Sequence, residues 1–371
     1  MADEVAKHRS VEVLMSNHDA AATRRIRATD AAAAGVNRRA TNVMEFRSVE
    51  RAQGAFQQSV TAAEVDTACR RALGADAVPV SAIELGTGMY NSVYRVTMAG
   101  RPQPVILRVA PREADQFGSE RHLMRNEFAA VPWLTVIAPL MPRVIAADWS
   151  HEVVDRDWML QTHLDGVPAP EALGRYPRTS WPVMFRRLGE ITAAVQGVRG
   201  PWFGRVTGPG HSTWSRAVIA SLEEIAADLE LVGLDASDVR AAAVAAREAS
   251  AVLDEVTEPR LLTGDLWTVN CLLDAHADVP TITGVVDFDR CEFGDPAADW
   301  AVRMASAKSD ERAAFWDAYG EADASPKARW RFRLYQARHL GAIRLERHRL
   351  GKTDAVKESY GAMAEVLAEL G

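Results

Sequence analysis

The sequence predicts an α+β chain, with a small strand-rich lobe ahead of a larger helical lobe. Three observations carry this. At 371 residues the chain is long enough for two domains or lobes of roughly 150 residues each, plus an extension. Between residues 80 and 109 apolar and polar residues alternate, the pattern of half-buried strands. Beyond residue 166 the apolar residues recur every three to four positions over long stretches, the pattern of amphipathic helices.

Taken in order, residues 1–58 read as a poorly ordered N-terminal extension. They are rich in Ala, Arg and Asn, carry no aromatic before Phe46 and show no sustained apolar stripe. The small lobe is expected over 59–163 and the helical lobe over 164–371. Thr61 and Glu64 form a capping-box pattern, and Val65, Ala68, Cys69 and Ala72 follow at helical spacing. Strands are expected over 80–85, 92–98 and 104–109, then a helix over 116–133 and short apolar runs at 144–147 and 158–161. Further helices are expected over 181–197, 213–231, 236–256, 309–319, 327–349 and 353–370, interrupted by strand-like runs at 271–274 and 282–288.

Composition removes several classes of function. Hydrophobic residues make up 48% and charged residues 25%, enough apolar material for a core. Fifty acids against 43 bases leave a net charge of −7, which argues against nucleic acid as a partner. No stretch approaches the ~18 apolar residues of a membrane helix. The start of the chain lacks an apolar signal core. Cys69, Cys271 and Cys291 are an odd set with no CxxC, which excludes a disulfide scaffold and suits a reducing, cytoplasmic setting. The lysines are Lys7, Lys308, Lys327, Lys352 and Lys357, so no lysine lies between residues 7 and 308.

The densest chemistry lies in Leu261-Leu-Thr-Gly-Asp-Leu-Trp-Thr-Val-Asn-Cys-Leu-Leu-Asp274, followed by Val285-Val-Asp-Phe-Asp289 and Gly294-Asp-Pro-Ala-Ala-Asp299. Asp265 and Asp287 end apolar runs and Asn270 precedes another, so buried strands can hold these polar groups rigidly. The set suits phosphoryl transfer, a reaction that needs positioning and charge neutralisation more than covalent help. Asp265 would orient the attacking hydroxyl and take its proton. Asn270 and Asp287 would hold Mg²⁺, which prefers hard oxygen ligands and few protein groups.

Thr-Gly-Asp265-Leu-Trp-Thr-Val-Asn270 resembles the catalytic loop H-G-D-x-x-x-x-N of the aminoglycoside phosphotransferase family, which shares the protein-kinase-like fold. Val-Val-Asp287-Phe-Asp is similar to that family's metal-binding segment, and Gly294-Asp-Pro-Ala-Ala-Asp299-Trp to the sequence that follows it. The resemblance covers residues 61–365. It implies a nucleotide loop at Gly86-Thr-Gly88-Met-Tyr-Asn91-Ser92, with Asn91 where a stricter motif has glycine. It also implies a phosphate-contacting cation on the third strand, which here is Arg108. Arginine is permanently charged and can bind phosphate through two donors. Glu127 is placed to orient Arg108, with Glu120 the competitor. Backbone groups around Gln161 to His163 would read the purine edge.

The implied activity moves the γ-phosphoryl group of ATP or GTP, with Mg²⁺, to a hydroxyl of a small molecule. An aminoglycoside-like antibiotic or amino sugar is the first expectation. Ketosamine, choline, homoserine and nucleoside antibiotics are the alternatives. Glu223, Glu224, Asp228, Asp235 and Asp238 could serve a cationic acceptor, or form a solvated helix face. Thr263 stands where the family has histidine. With Arg108 it motivates a second hypothesis, a nucleotide-binding pseudokinase. Trp267 would wall the acceptor pocket or pack in the core. His339, Arg344, Arg347, His348 and Arg349 form a basic helix, read as a solvated face or a partner for acidic groups.

Overall fold

The computed structural model describes residues 44–371 apart from residues 53, 87 and 310. The chain divides into two compact units. The first takes the chain up to Arg112 together with Val144–His163, and the second takes Glu113–Arg143 together with Leu164–Gly371. The segment 113–143 therefore belongs to the second unit although it separates two strands of the first.

The first unit is built on one sheet of β1 (Glu45–Arg47), β2 (Pro79–Leu85), β3 (Ser92–Met98), β4 (Val105–Val109), β5 (Val144–Asp148) and β6 (Trp158–Thr162), in the order β1-β2-β3-β4-β6-β5. Neighbours run antiparallel except β1 and β2, which are parallel. Helix α1 (Ala62–Leu73) starts at the capping box that Thr61 and Glu64 predict. Its Val65, Ala68 and Cys69 join Tyr94, Val96, Leu107, Val109, Trp158 and Leu160 in one apolar core.

Strand β1 corrects the expectation of a disordered extension as far as it can be described. Residues 1–43 of that extension lie outside the described residues. Residues 44–58 are part of the unit. Glu45, Phe46 and Arg47 pair with Ser81, Ala82 and Ile83, and the Phe46 ring stacks on Tyr94 with centroids 6.0 Å apart. A buried carboxylate anchors the segment. Glu84 accepts from Arg51 Nη1 at 2.6 Å, from Val49 N at 2.8 Å and from Ser59 Oγ at 2.8 Å. A strand of three residues has too little alternation to show in the sequence. Its stability comes from this polar anchor, which pairs residues far apart along the chain.

The second unit is mainly helical. Its long helices are α2 (Leu123–Ala130), α4 (Pro182–Gln196), α5 (Trp214–Leu231), α6 (Ser237–Glu248), α8 (Trp300–Ala307), α9 (Ala313–Tyr319), α10 (Pro326–Arg349) and α11 (Thr353–Ala368), with single turns α3 (Ala169–Ala172) and α7 (Ser250–Leu253). Two small sheets support the loops between them. One orders β11 (Ile282–Val285), β10 (Cys271–Leu273) and β7 (Val167–Pro168). The other orders β8 (Gly204–Arg205), β12 (Glu292–Gly294) and β9 (Arg260–Leu262). One core gathers Trp214, Leu222, Val239, Leu334, Tyr335 and Met363, and another gathers Phe185, Ile191, Leu266, Phe288, Phe293 and Phe315.

Three elements depart from the periodicity. The helix expected over 116–133 shrinks to α2, because His122 turns to φ 61° and residues 118–120 form a separate turn. The helix expected over 236–256 breaks at Ala249, which leaves helical geometry at φ −99° and ψ 25° with no glycine or proline to mark it. Helix α8 was not expected, since its eight residues are too few to show a period.

Charge holds the segment 113–143 in the second unit. Asp228 on α5 accepts from Gly118 N and Ser119 N, both at 2.8 Å. Asn126 Nδ2 donates to the carbonyls of Asp289 at 2.9 Å and Cys291 at 2.8 Å, and its Oδ1 accepts from Thr207 N at 3.1 Å. The buried Glu120 lies between Arg290, at 3.1 Å, and Arg349. Burial alone would raise the pKa of Glu120, but Arg290 and Arg349 more than reverse that and hold it below its ordinary value of 4.5.

Two predictions follow from these anchors. Glu84→Ala leaves Arg51, Val49 N and Ser59 without their acceptor and should cost about 2 kcal/mol, read as a lower urea midpoint. A carboxylate whose folded pKa is depressed stabilises above its unfolded value and loses that contribution as pH falls through the folded value. Wild type should therefore lose stability below pH 4.5, and Glu120→Gln should flatten that part of the stability–pH curve.

Candidate active site

The site in the second unit starts where β9 ends. Thr263 is buried there. Its amide donates to Asp299 Oδ2 at 2.8 Å and its hydroxyl to Asp299 Oδ1 at 2.7 Å. Gln196 Nε2 adds a third bond to Asp299 at 3.0 Å, and the Tyr319 hydroxyl braces Gln196 at 2.7 Å. Threonine thus supports the loop by a two-bond clasp, which removes one motive for reading the chain as inactive. Gly264 follows at φ 78°, and a Cβ there would lie 2.3 Å from the Arg290 carbonyl oxygen. Only glycine satisfies both the left-handed backbone and that close approach.

Asp265 comes next and is half-buried. A single turn, Thr268–Asn270, then leads into β10. Asn270 Nδ2 donates to the Asp265 carbonyl at 2.8 Å and to Asp265 Oδ2 at 3.3 Å. The amide NH₂ is therefore committed, and Asn270 Oδ1 is left as a hard oxygen acceptor. Strand β10 pairs antiparallel with β11, with Cys271 opposite Val285, and Val286 N donates to the Asn270 carbonyl at 3.0 Å. The hairpin thereby sets Asp287, one residue beyond Val286, beside Asn270. Asp287 has φ 69°, unusual for a residue with a side chain and the kind of strain that clusters at functional sites.

The electrostatics match the intended chemistry. The Asp265 carboxyl is pushed up to about 8, first by burial and then by the negative charges of Asp287 and Glu346. Arg290 and the Asn270 hydrogen bond oppose that rise. Magnesium fits this donor set. A dication beside Asn270 Oδ1 and Asp287 would neutralise the excess negative charge and return Asp265 to its ionised form. Among the described residues no group of three or more His, Cys, Asp or Glu is assembled to hold a metal. Two protein oxygens with the remainder from phosphates and water is the coordination that Mg²⁺ accepts.

The remaining candidates fall mostly in the first unit. Gly86 and Gly88 are exposed and neither has a positive φ, so backbone conformation does not demand glycine at either position. Gln57 Nε2 donates to the carbonyls of Gly88 at 2.9 Å and Asn91 at 3.0 Å, and so fixes the loop. Asn91 is buried, and its Oδ1 has no hydrogen-bond partner. Ser92 opens β3, with its hydroxyl donating to the Gln58 carbonyl at 3.0 Å. Arg108 is buried on β4, opposite Val93 on β3 and Met159 on β6. Gln161 is buried on β6 opposite Ile106, and His163 follows that strand, half-buried. Glu127 is buried on α2 of the second unit, while its competitor Glu120 is engaged by two arginines.

Sequence reasoning missed Arg290, which lies between Glu120 and Asp265, and did not give Asp299 its role as the clasp. It also read the basic helix partly as a solvated face. On α10, Arg344 is fully buried on Asp238, with bonds of 2.6 and 2.9 Å, and Arg347 is buried as well. Spacing along one helix says which residues share a face but not which carboxylate meets that face.

Residues 81–335 match the model of the phosphotransferase enzyme family. No curated protein matches. Among solved structures, a thermostable mutant of aminoglycoside phosphotransferase APH(4)-Ia in ternary complex with AMP-PNP and hygromycin B matches with TM-score 0.58 and 18% identity, over 83% of this chain and 99% of that one. The GDP complex of wild-type aminoglycoside 2'-phosphotransferase-IIIa matches with TM-score 0.55 and 18% identity, over 83% and 99%. A putative aminoglycoside phosphotransferase from Ralstonia eutropha JMP134 matches with TM-score 0.56 and 14% identity, over 83% and 97%. With a family match spanning more than half of its length and a kinase-like α+β fold, the chain belongs to the phosphotransferase enzyme family and is a small-molecule phosphotransferase.

Proposed function

We propose that the protein transfers the γ-phosphoryl group of ATP or GTP to a hydroxyl of a small molecule. The observation that carries this is the convergence of Asp265, Asn270 and Asp287 at the open end of the β10–β11 hairpin. Asp265 orients the acceptor hydroxyl and takes its proton as the oxygen attacks. Asn270 and Asp287 hold Mg²⁺, which when bound neutralises phosphate charge. Asn270 also fixes the Asp265 side chain, so one amide serves both the base and the metal. In the first unit, Gly86, Gly88, Asn91 and Ser92 are assigned to the nucleotide phosphates. Arg108 is assigned to the same phosphates. Gln161 and His163 are assigned to the base. The neighbours' complexes with AMP-PNP and with GDP support a nucleotide without choosing between adenine and guanine.

The hygromycin B bound to one neighbour supports a hydroxylated, sugar-like acceptor. Four of the five acids named for a polycation are engaged elsewhere. Glu223 pairs with Arg240 and Arg247, Asp238 with Arg344, and Asp228 and Asp235 accept backbone amides. Three free, buried thiols support a cytoplasmic setting. Among the described residues no helix is long and apolar enough to cross a membrane.

Asp265→Ala should lower acceptor-dependent nucleoside diphosphate release by about 10²–10⁴-fold, with an unchanged far-UV spectrum. Asp287→Asn should raise the Mg²⁺ concentration needed for half-maximal rate, and a rate insensitive to both substitutions would overturn the assignment.

A further inference from the structure

Beyond the catalytic triplet, the same unit contains a cluster that nothing above explains. Trp300 opens α8, and Arg303 lies one turn later with its guanidinium carbon 5.3 Å from the Trp300 ring centroid. The Trp300 ring meets Trp267 edge-on at 6.3 Å and the His339 ring from α10 at 4.3 Å. Trp267 is two residues beyond Asp265, so the cluster continues directly from the catalytic loop.

The cluster lacks an anion. Arg303 Nε and Trp300 Nε1 are both buried donors without a hydrogen-bond partner. The charged group that Arg303 feels is Arg338, of like sign. Burial and then that repulsion pull its guanidinium down to about 9. Two arginines around His339 have carboxylate partners: Arg338 pairs with Glu292 and Arg290 with Glu120. His339 is held neutral, first by burial and then by Arg303, Arg347, Arg290 and Arg338. The charge of Glu346 on α10 is felt by Asp265 and Arg347. Arg303 is half-buried with its Nε shut off from water, and one indole face is no substitute for a counterion. A buried donor left without a partner beside the Asp265 loop is one that a ligand can complete.

We propose that Trp267, Trp300, Arg303 and His339 form the acceptor subsite, and that the acceptor is a hydroxylated molecule carrying a carboxylate or similarly anionic group that pairs with Arg303. The indole faces take the flat, apolar side of its ring, and Trp300 Nε1 and Arg303 Nε donate to its oxygens. This rests on the phosphotransfer reading of Asp265. It differs from the polycationic expectation in the sign of charge the pocket selects.

The test uses the full chain, with Arg303→Leu and Asp265→Ala as variants. Ligand-free Arg303→Leu should melt no lower than wild type, because no ion pair is lost with the guanidinium. A lower melting point would make Arg303 a structural residue and overturn the proposal. Glucuronate and shikimate should raise the wild-type melting point and leave Arg303→Leu unmoved, whereas glucosamine and kanamycin should move neither. Equal shifts in both proteins, or shifts by the cationic probes alone, would overturn it. Where a carboxylated probe is phosphorylated, Arg303→Leu should raise its KM by about tenfold or more and change kcat less. Nucleoside diphosphate release that survives Asp265→Ala would sink the phosphotransfer reading instead. The melting comparison needs no turnover, so the two failures are distinguishable.

Discussion

The buried carboxylate of Asp299 is the constraint on which the proposed active site depends. It accepts from the amide and hydroxyl of Thr263 and from Gln196, and so ties the end of β9, helix α4 and the start of α8 to one point. Burial raises the pKa of Asp299 while these donors lower it, so the group is tolerated because it is well bonded. The clasp fixes the residue that leads into Gly264, whose close approach to the Arg290 carbonyl aligns the loops carrying Asp265 and Asp287.

A second layer of charge joins the catalytic loops to distant parts of the chain. Arg290 pairs with Glu120 and tempers the Asp265 carboxyl, and Arg349 at the end of α10 shares the same glutamate. Asn126 bonds the carbonyls on either side of Arg290. The segment after β4 therefore braces the loops carrying Asp265 and Asp287, although the order of the chain would place it with the strands of the first unit.

The sequence revealed most where local chemistry is sufficient. The capping box of Thr61 and Glu64, the strands around Arg108 and the alignment of Asp265, Asn270 and Asp287 are all visible in short windows. It was silent where pairing is remote. Strand β1 depends on Glu84, the break at Ala249 carries no glycine or proline, and α8 is too short to show periodicity. Arg303 and His339 were visible as residues. What could not be read was that one lacks a carboxylate and the other is enclosed by arginines, because both facts depend on residues from separate helices. The glycines of the nucleotide loop show the opposite case. They drew notice in the sequence, yet their backbones are ordinary and the loop is fixed by Gln57.

That last contact bears on where the folding unit begins. The family match starts at residue 81, inside β2, and ends at residue 335, inside α10. A chain cut to that span would lose β1, leave part of one sheet edge unpaired and remove the Gln57 side chain that holds the loop carbonyls. It would also discard Arg344 and Arg349, leaving Asp238 and Glu120 each short of a counterion. Open edges and stranded carboxylates favour self-association over refolding. The autonomous protein is thus longer than the stretch by which its relatives are recognised.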